Sequence, residues 1–378
     1  MRIAIIHPWF PQYRREFFAL LREKSLENGF FVDIYYGAAP PEVAARDDAV
    51  ADVSATELPT KYFSVGTRSI GYKSLREVRK AGGYELVIVE QAVRNLETYA
   101  LLINPLSRHL AFWGHGRTYT KSVGKCQERL KTLLTNRSDW FFSYTEGGAA
   151  AVAGHGFPSS SVTVVNNSID TRSLQKSIAD VRSRDVEVYK KTIGAHGRLG
   201  LFMGGLDQSK RIDFLIAAAA RVAEQIPHFK LVIAGRGIEE RVVAKAAEEN
   251  EFIVYAGPLA GKQKALAMGA SDVLMMPGRV GLVAVDSFAA GTPIVTTDWP
   301  WHAPEFEYLE HGVNAVISED NIETYSSSVV DVLANQDQLE KLSEGCVIAS
   351  KKYTVENMVN NFVQGLVNYR ESFTESNV

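Results

Sequence analysis

Residues that could bind a diphosphate and a ribose follow one apolar strand in the second half of the chain. In the segment "MMPGRVGLVAVDSF" the strand ends in a Pro-Gly turn, and a helix begins near Gly281. The backbone N–H groups of Val280, Gly281 and Leu282 are expected to be unpaired at the helix N-terminus, where they could bind a diphosphate. Asp286, little more than one helical turn later, could accept hydrogen bonds from ribose hydroxyls. An ordinary strand–turn–helix corner with a solvated acid would show the same pattern.

Two cations begin another helix in the same half of the chain. In "LFMGGLDQSKRIDFLIAAA", Lys210 and Arg211 stand at the helix start, where the helix dipole disfavours positive charge. A bound anion would resolve that conflict, and a charge-assisted hydrogen bond from Lys210 would contribute about 1.5–3 kcal/mol. A solvated Lys-Arg pair on the surface is the alternative.

A histidine in the first half of the chain follows a further strand. The segment "LAFWGHGRTYTK" places His115 between two glycines at the carboxyl end of that strand, which is where parallel α/β sheets bind ligands. The glycines would let a ligand or another backbone segment approach closely. A lone histidine can equally be structural, so both interpretations stay open at this point.

The elements that must position these residues alternate between short apolar strands and amphipathic helices. This alternation lapses in a polar stretch after Asp170 and restarts at "LFMGG". It predicts an α/β protein with two Rossmann-like domains whose parallel sheets face a central cleft. The expected parts are an N-terminal Rossmann-like domain at 1–172, a linker at 173–198, a C-terminal Rossmann-like domain at 199–353, and a helix at 354–378 that crosses back to the N-terminal domain.

Composition and charge limit the classes of function. Apolar residues make up 46% and charged residues 22% of the 378 residues, as in an ordinary globular α/β protein. The formal net charge of −3 gives no reason to expect nucleic-acid binding. Cys126 and Cys346 have no metal-ligand spacing, and no metal site is expected. No signal peptide or long apolar span is recognised, so a cytoplasmic location is expected.

The order and spacing of these segments resemble the family 4 retaining glycosyltransferases of the GT-B superfamily. The stretch from Gly281 through "FAAGTPIV" is similar to the donor site of that family. Asp286 occupies the place of a family glutamate that binds the nucleotide ribose. Gly278 stands where the family has the glutamate that binds the hydroxyls of the donor sugar, so this acid is missing.

The resemblance also implies roles for other residues of the second half. Lys210 matches a family lysine that contacts the donor phosphates. Gly205 stands where the family has an arginine, and Arg211 is the expected substitute. Contacts to the donor sugar would then come from Arg279 or from backbone groups near it. Glu305, in "HAPEFEYLEHGVNA", matches a proline-glutamate loop of the family.

In the first half, the resemblance assigns His115 to orienting the donor sugar across the cleft. Three further turns supply candidates for the acceptor or the cleft: Tyr13, Arg14, Thr145, Glu146 and Asn167. In "HPWFPQYRREFF", Arg14 and Arg15 could hold an acceptor phosphate or could be solvated at the surface. The threonine in "YTEGG" could equally be a helix N-cap.

The implied function is retaining, metal-independent transfer of a hexose-type sugar from a nucleotide-diphosphate sugar, with no further cofactor. The acceptor would be a glycan or a lipid-linked molecule, in surface-polysaccharide or glycoconjugate assembly. Residues 116–137 carry six basic residues and one acid, which could contact anionic lipid at the inner face of the plasma membrane or form a solvated helix face. The alternatives are a nucleotide-sugar epimerase or hydrolase on the same fold, and a non-enzymatic two-lobed sugar-binding protein.

Overall fold

This computed structural model of the protein describes residues 1–41, 50–52, 54–65, 68–119, 122 and 124–375. The chain divides into two compact units. The first consists of Met1–Ile169 and Val355–Val378, and the second consists of Asp170–Thr354. Within the basic segment predicted at 116–137, residues 120, 121 and 123 lie outside the described residues.

The first unit is built on a seven-stranded parallel sheet and a separate antiparallel hairpin. Its strands are β1 (Arg2–Trp9), β2 (Phe31–Gly37), β3 (Thr56–Glu57), β4 (Thr60–Val65), β5 (Arg68–Lys73), β6 (Tyr84–Glu90), β7 (Ser107–Gly114), β8 (Trp140–Ser143) and β9 (Val162–Val164). The sheet has the order β3-β2-β1-β6-β7-β8-β9, and β4 and β5 form the hairpin. The strand order reverses between β1 and β6, which is the position where such sheets bind ligands.

Apolar side chains are buried on both faces of this sheet. Ile3 and Ile5 of β1 belong to one hydrophobic cluster, and Ala4 and Ile6 belong to another. Strands that are buried on both sides read as continuous apolar runs, as this one does. The helices of this part of the chain are α1 (Arg15–Glu27), α2 (Arg76–Ala81), α3 (Leu96–Ile103), α4 (Lys125–Thr135) and α5 (Glu146–Gly154).

The second unit repeats the architecture with a six-stranded parallel sheet of order β12-β11-β10-β13-β14-β15. Its strands are β10 (Leu199–Met203), β11 (Lys230–Ala234), β12 (Ile253–Gly257), β13 (Val273–Met276), β14 (Ile294–Thr297) and β15 (Ala315–Ser318). Its helices are α6 (Arg172–Ala179), α7 (Ser183–Thr192), α8 (Ile212–Gln225), α9 (Glu240–Glu249), α10 (Gly261–Ala270), α11 (Val283–Ala290), α12 (Ile322–Ala334) and α13 (Gln336–Lys352). Both parallel sheets agree with the fold class predicted from the sequence.

The chain passes between the units twice, and the helices that follow each passage pack within one unit. The stretch predicted as a linker at 173–198 forms most of α6 and all of α7, and both helices pack against α10 of the second unit. The last helix, α14 (Val355–Glu375), packs on α1 of the first unit. Phe362 of α14 stacks on Phe142 of β8 with ring centroids 4.2 Å apart. Within the described part of the chain, no helix is both long enough and apolar enough to cross a bilayer.

Candidate functional site

In the second unit, the turns that follow the neighbouring strands β10 and β13 lie directly against each other. The Arg279 N–H donates a hydrogen bond to the Ser209 carbonyl oxygen at 2.8 Å, and Lys210 Nζ donates to the Arg279 carbonyl oxygen at 2.5 Å. A Cβ atom at Gly278 would lie 2.5 Å from the Ser209 oxygen and 2.6 Å from the Lys210 carbonyl carbon. Glycine at 278 therefore permits the contact, and the place of the missing glutamate has no room for a side chain.

Arg211 already has partners that compete with its predicted role as a phosphate ligand. Its guanidinium forms an ion pair with Asp320 and donates to the Pro277 carbonyl oxygen at 3.3 Å. It also lies 4.3 Å from the ring centroid of Phe214. The residue adopts a left-handed backbone conformation, with φ 58° and ψ 51°, which is uncommon for a side chain of this size. Its contacts tie the turn after β10 to the ends of two other strands.

The helix α11 begins at Val283, two residues later than the sequence indicates. The prediction of three unpaired N–H groups is wrong for Val280, because its N–H donates to His302 Nδ1 at 3.0 Å. Among the described residues, the N–H groups of Gly281 and Leu282 have no hydrogen-bond partner. These two amides are the part of the predicted diphosphate site that remains open to a ligand.

His302, which the sequence analysis missed, is hydrogen-bonded to the turn after β13. Its Nδ1 accepts from Val280, so its Nε2–H donates to the Thr297 carbonyl oxygen at 2.9 Å. The ring stacks on Phe306 with centroids 4.0 Å apart. Burial, with a smaller contribution from the charge of Lys210, lowers the His302 pKa to about 4, and the hydrogen bond to the Thr297 carbonyl oxygen opposes the shift. A lone histidine after β14 gives no signal in the sequence, since only the folded chain places it beneath the turn after β13.

Asp286, predicted to bind the ribose, is buried near the start of α11. Its Oδ1 pairs with Lys264 Nζ of α10 at 2.6 Å. Burial raises the pKa of Asp286, and the charge of Lys264 opposes that shift. The sequence did not indicate Lys264 as a partner, because α10 and α11 are joined through a buried strand.

The remaining candidates of the second unit surround the same turns. Arg279 is half-buried, and its Nε donates to the Trp301 carbonyl oxygen at 3.1 Å. Glu305 is buried in the short 3₁₀ helix Pro304–Tyr308, with Oε2 3.7 Å from a Cβ atom built on Gly281. Gly205 is exposed in the loop after β10. The structure thus places these residues on the loops at the carboxyl ends of the strands.

In the first unit, His115 follows β7 on a backbone segment that is held by glycines. A Cβ atom on Gly116 would lie 2.1 Å from the Gly148 carbonyl oxygen, and one on Gly148 would lie 2.6 Å from the His115 carbonyl oxygen. The backbone after β7 and the start of α5 can touch only because both positions are glycine. The His115 ring packs on Tyr144, with centroids 4.8 Å apart.

His115 carries a neutral imidazole at neutral pH. Desolvation first, and then the charges of Lys131 and Arg14, lower its pKa to about 4. The side chain is exposed, and solvent screens these charges. Because even the ordinary histidine pKa of 6.5 leaves an imidazole mostly neutral at pH 7, the lowered pKa keeps His115 neutral there.

Arg14 is buried, with 2% of its surface exposed, so the expectation of a solvated arginine is wrong. Its guanidinium donates to Asn167 Oδ1 at 2.5 Å and lies 5.2 Å from the ring centroid of the exposed Tyr13. A side chain enclosed in this way is not open to an acceptor phosphate. Thr145 is the N-cap of α5 and accepts from the Gly148 N–H at 3.3 Å, as the alternative interpretation held. Glu146 is exposed in the first turn of that helix.

Comparisons with known proteins find similarity to glycosyltransferases. Residues 197–335 match the family described as Glycosyl transferases group 1. Over 107 residues the chain is 35% identical to a phosphatidyl-myo-inositol mannosyltransferase of Mycobacterium leprae, and the aligned part is 27% of this chain and 29% of that protein. The structure of Alr3699/HepE from Anabaena in complex with UDP has a TM-score of 0.70 at 16% identity, covering 97% of this chain and all of that one. Sucrose-phosphate synthase from Thermosynechococcus elongatus has a TM-score of 0.71 at 14% identity, covering 99% of this chain and 100% of that one.

The two Rossmann-like units have the GT-B fold of these solved structures, which confirms the fold predicted from the sequence. The family match over residues 197–335 confirms the predicted resemblance to the glycosyltransferases. The chain aligns with less than a third of the length of the Mycobacterium leprae relative.

Substituting Gly278 should separate the two turns that contact each other in the second unit. If these turns bind a diphosphate, as proposed below, Gly278→Ala should weaken nucleoside diphosphate binding at least about tenfold, because the new Cβ atom would overlap the backbone of Ser209 and Lys210. Gly278→Glu, which introduces the family acid, should weaken it at least as much. Isothermal titration calorimetry measures both. The control is Gly269→Ala in α10, where the nearest atom to a Cβ, Ile178 Cγ2, lies 4.0 Å away. Wild-type affinity in Gly278→Ala would contradict the steric argument.

Protonation of His302 should lower the free energy of unfolding of the second unit at low pH. Its folded pKa of about 4 lies below the ordinary 6.5, so the unfolded chain binds more protons between these values. The contribution of His302 is therefore complete above pH 6.5 and is lost as the pH falls toward 4, with a total of up to about 3 kcal/mol. Urea unfolding at several pH values measures this loss. His302→Asn, whose amide oxygen can still accept from Val280, should lose less stability over the same range. Parallel profiles of the two proteins would rule out the effect.

Proposed function

We propose that this protein is a retaining glycosyltransferase that moves a hexose-type sugar from a nucleotide-diphosphate sugar to a glycan or lipid-linked acceptor. The observation that carries the proposal is the contact between the turns at Lys210 and Gly278, beside the open amides at the start of α11. These turns lie inside the region that matches the group 1 glycosyltransferases. The named mannosyltransferase relative and the UDP complex of the structural neighbour support a nucleotide-sugar donor.

In this proposal, the donor diphosphate binds at the turn after β13. Lys210 would contact the phosphates, and the N–H groups of Gly281 and Leu282 would donate to them at the positive end of α11. Asp286 would accept from the ribose through its second carboxylate oxygen, since Oδ1 is paired with Lys264. The role of Arg211 would be to hold the turn through Asp320, and Arg279 and Glu305 would line the sugar end of the site.

The proposed chemistry needs no carboxylate nucleophile. The bond between the sugar and the departing phosphate breaks while the acceptor oxygen bonds to the same face of the sugar, and the phosphate takes the acceptor proton. Lys210 and the amides of α11 would offset the charge on the diphosphate, so we propose that turnover needs no divalent metal. His115 would orient the sugar as a neutral imidazole. The names of the relatives do not favour an epimerase, a hydrolase or a binding protein.

Nucleotide binding without metal tests the donor site. In a thermal-shift panel of UDP, GDP, TDP, CDP, ADP and NAD in EDTA, we expect one nucleoside diphosphate to stabilise the protein. At a hundred times its Kd the ligand adds about 2.7 kcal/mol. Lys210→Ala should weaken that ligand roughly 10- to 150-fold, because it removes a charge-assisted hydrogen bond. Lys262→Ala, an exposed lysine on α10, serves as the control. Stabilisation by NAD alone, or unchanged binding in Lys210→Ala, would contradict the proposal.

We further propose that α4 rests on an anionic lipid surface that presents the acceptor. One side of this helix exposes Leu130 and Leu133, with 41% and 54% of their surface accessible. Arg129 and Arg137 are exposed close to these leucines. Apolar side chains flanked by cations are typical of helices that lie in the interface of an anionic membrane.

Co-sedimentation with liposomes tests this surface. The wild type should pellet with vesicles that contain anionic phospholipid and stay in the supernatant with neutral phosphatidylcholine vesicles. Leu133→Gln should reduce the pelleted fraction several-fold, because it removes apolar area that would enter the interface. Leu26→Gln on α1, where 57% of the leucine is exposed, is the matched control. A wild type that does not pellet with anionic vesicles would indicate a soluble acceptor.

A further inference from the structure

Arg14 is a buried cation that has no acidic partner among the described residues. Within the described part of the chain its guanidinium contacts three neutral acceptors, which are Asn167 Oδ1 at 2.5 Å, the Ser168 carbonyl oxygen at 3.3 Å and Met358 Sδ at 3.5 Å. Its Nε has no hydrogen-bond partner among the described residues. Burying an uncompensated charge is unfavourable, so a stable fold that keeps one here calls for a reason beyond packing.

Aromatic rings take the place of the missing acid. The centre of the guanidinium lies 5.2–5.6 Å from four ring centroids, those of Tyr13, Phe17, Trp113 and Tyr144. Ring faces attract a cation more strongly when it is desolvated. They do not neutralise its charge, however, so the positive field of Arg14 extends to its neighbours.

The contacts of Arg14 join three segments that are distant in sequence. Arg14 itself lies between β1 and α1, Ser168 follows β9 and Met358 lies in the first turn of α14. The Ser168 N–H also donates to Met358 Sδ at 3.3 Å. Ser168 stands two residues before the chain enters the second unit, and Met358 stands three residues after it returns to the first. The Arg14 side chain therefore contacts the first unit at two places: just before the chain leaves it and just after the chain returns to it.

The same contacts lead to His115. Asn167, which accepts from Arg14, donates its backbone N–H to the Tyr144 carbonyl oxygen at 3.0 Å. The Tyr144 ring is close to both groups, because its centroid lies 5.6 Å from the centre of the guanidinium and 4.8 Å from the centroid of the imidazole. Arg14 can therefore affect His115 in two ways: by packing, through the Tyr144 ring, and by the electrostatic field of its positive charge.

We infer that Arg14 is a positioning residue that acts on His115 through Tyr144 and Asn167 and does not itself contact the acceptor. This inference rests on the proposed function for its meaning in catalysis. Other groups also face His115. Lys131 of α4 adds positive charge, and Tyr119, which lies under Arg117, packs at 6.4 Å from the imidazole. Arg14 differs from them because it is buried and also contacts Asn167 and the Tyr144 ring, on which the imidazole packs.

The test compares substitutions at Arg14 with one at its exposed neighbour. Arg15, whose Nε lies 3.5 Å from Asp52 and whose side chain is 52% exposed, provides the matched control Arg15→Met. Proton NMR follows the His115 ring in the full-length chain as pH changes. We expect Arg14→Met to move the midpoint of the His115 titration upward by at least about half a pH unit, toward 6.5. Arg14→Lys keeps the charge and should leave the midpoint close to that of the wild type. Arg15→Met should leave it unchanged.

Kinetics give the second measurement. With donor and acceptor supplied, Arg14→Met and Arg14→Lys should both lower kcat at least about tenfold, because neither side chain keeps the two contacts to Asn167 and Ser168. The Kd of the nucleoside diphosphate should stay within about twofold of the wild-type value. Arg14→Lys carries the test if Arg14→Met does not fold. A folded Arg14→Met with an unchanged His115 titration, an equal shift in Arg15→Met, or a wild-type kcat in Arg14→Lys would overturn the inference. Absence of transfer by the wild type would remove the proposed function, and the titration would still decide whether Arg14 acts on His115.

Discussion

A parallel sheet must be covered on both faces, because each of its strands is reached by a crossover that runs over one face or the other. This constraint shapes both units of the protein. It buries the strands as continuous apolar runs and sends every loop that follows a strand to the same edge. Arg14, His115 and Asn167 meet at that edge in the first unit, and Lys210, Gly278 and His302 meet there in the second. The candidate sites follow from the architecture before any one side chain is considered.

Contact between backbones, made possible by glycine, then sets the detailed geometry of these edges. Gly278 lets the turn after β13 press on the Lys210 turn, and Gly116 and Gly148 let the segment around His115 press on the start of α5. The glycine that replaces the family glutamate at position 278 is therefore required by the packing of the second unit. A side chain at that position would be incompatible with the contact that holds Lys210.

Charges at the two edges are handled in different ways. In the second unit, Arg211 is paired with Asp320 and Asp286 is paired with Lys264. In the first unit, the contacts that Arg14 makes with other described residues are to neutral acceptors and aromatic rings. The first arrangement stabilises turns, whereas the second leaves a field that acts on neighbouring groups. Pairing is a property of the folded chain, since Asp320 and Lys264 are far in sequence from the residues that they neutralise.

The sequence by itself determined the two-unit α/β architecture, because short continuous apolar runs and amphipathic helices of period 3.6 are local patterns. It also indicated which loops are candidates for binding a ligand, since these loops follow recognisable strands. Only the tertiary structure decided which atoms remain available to a ligand. The Val280 amide is taken by His302, Arg14 is enclosed by aromatic rings, and position 278 is closed by the backbone of the Lys210 turn. Each of these facts depends on contacts between segments whose separation in sequence carries no local signal, so no pattern within a window of residues could have revealed them.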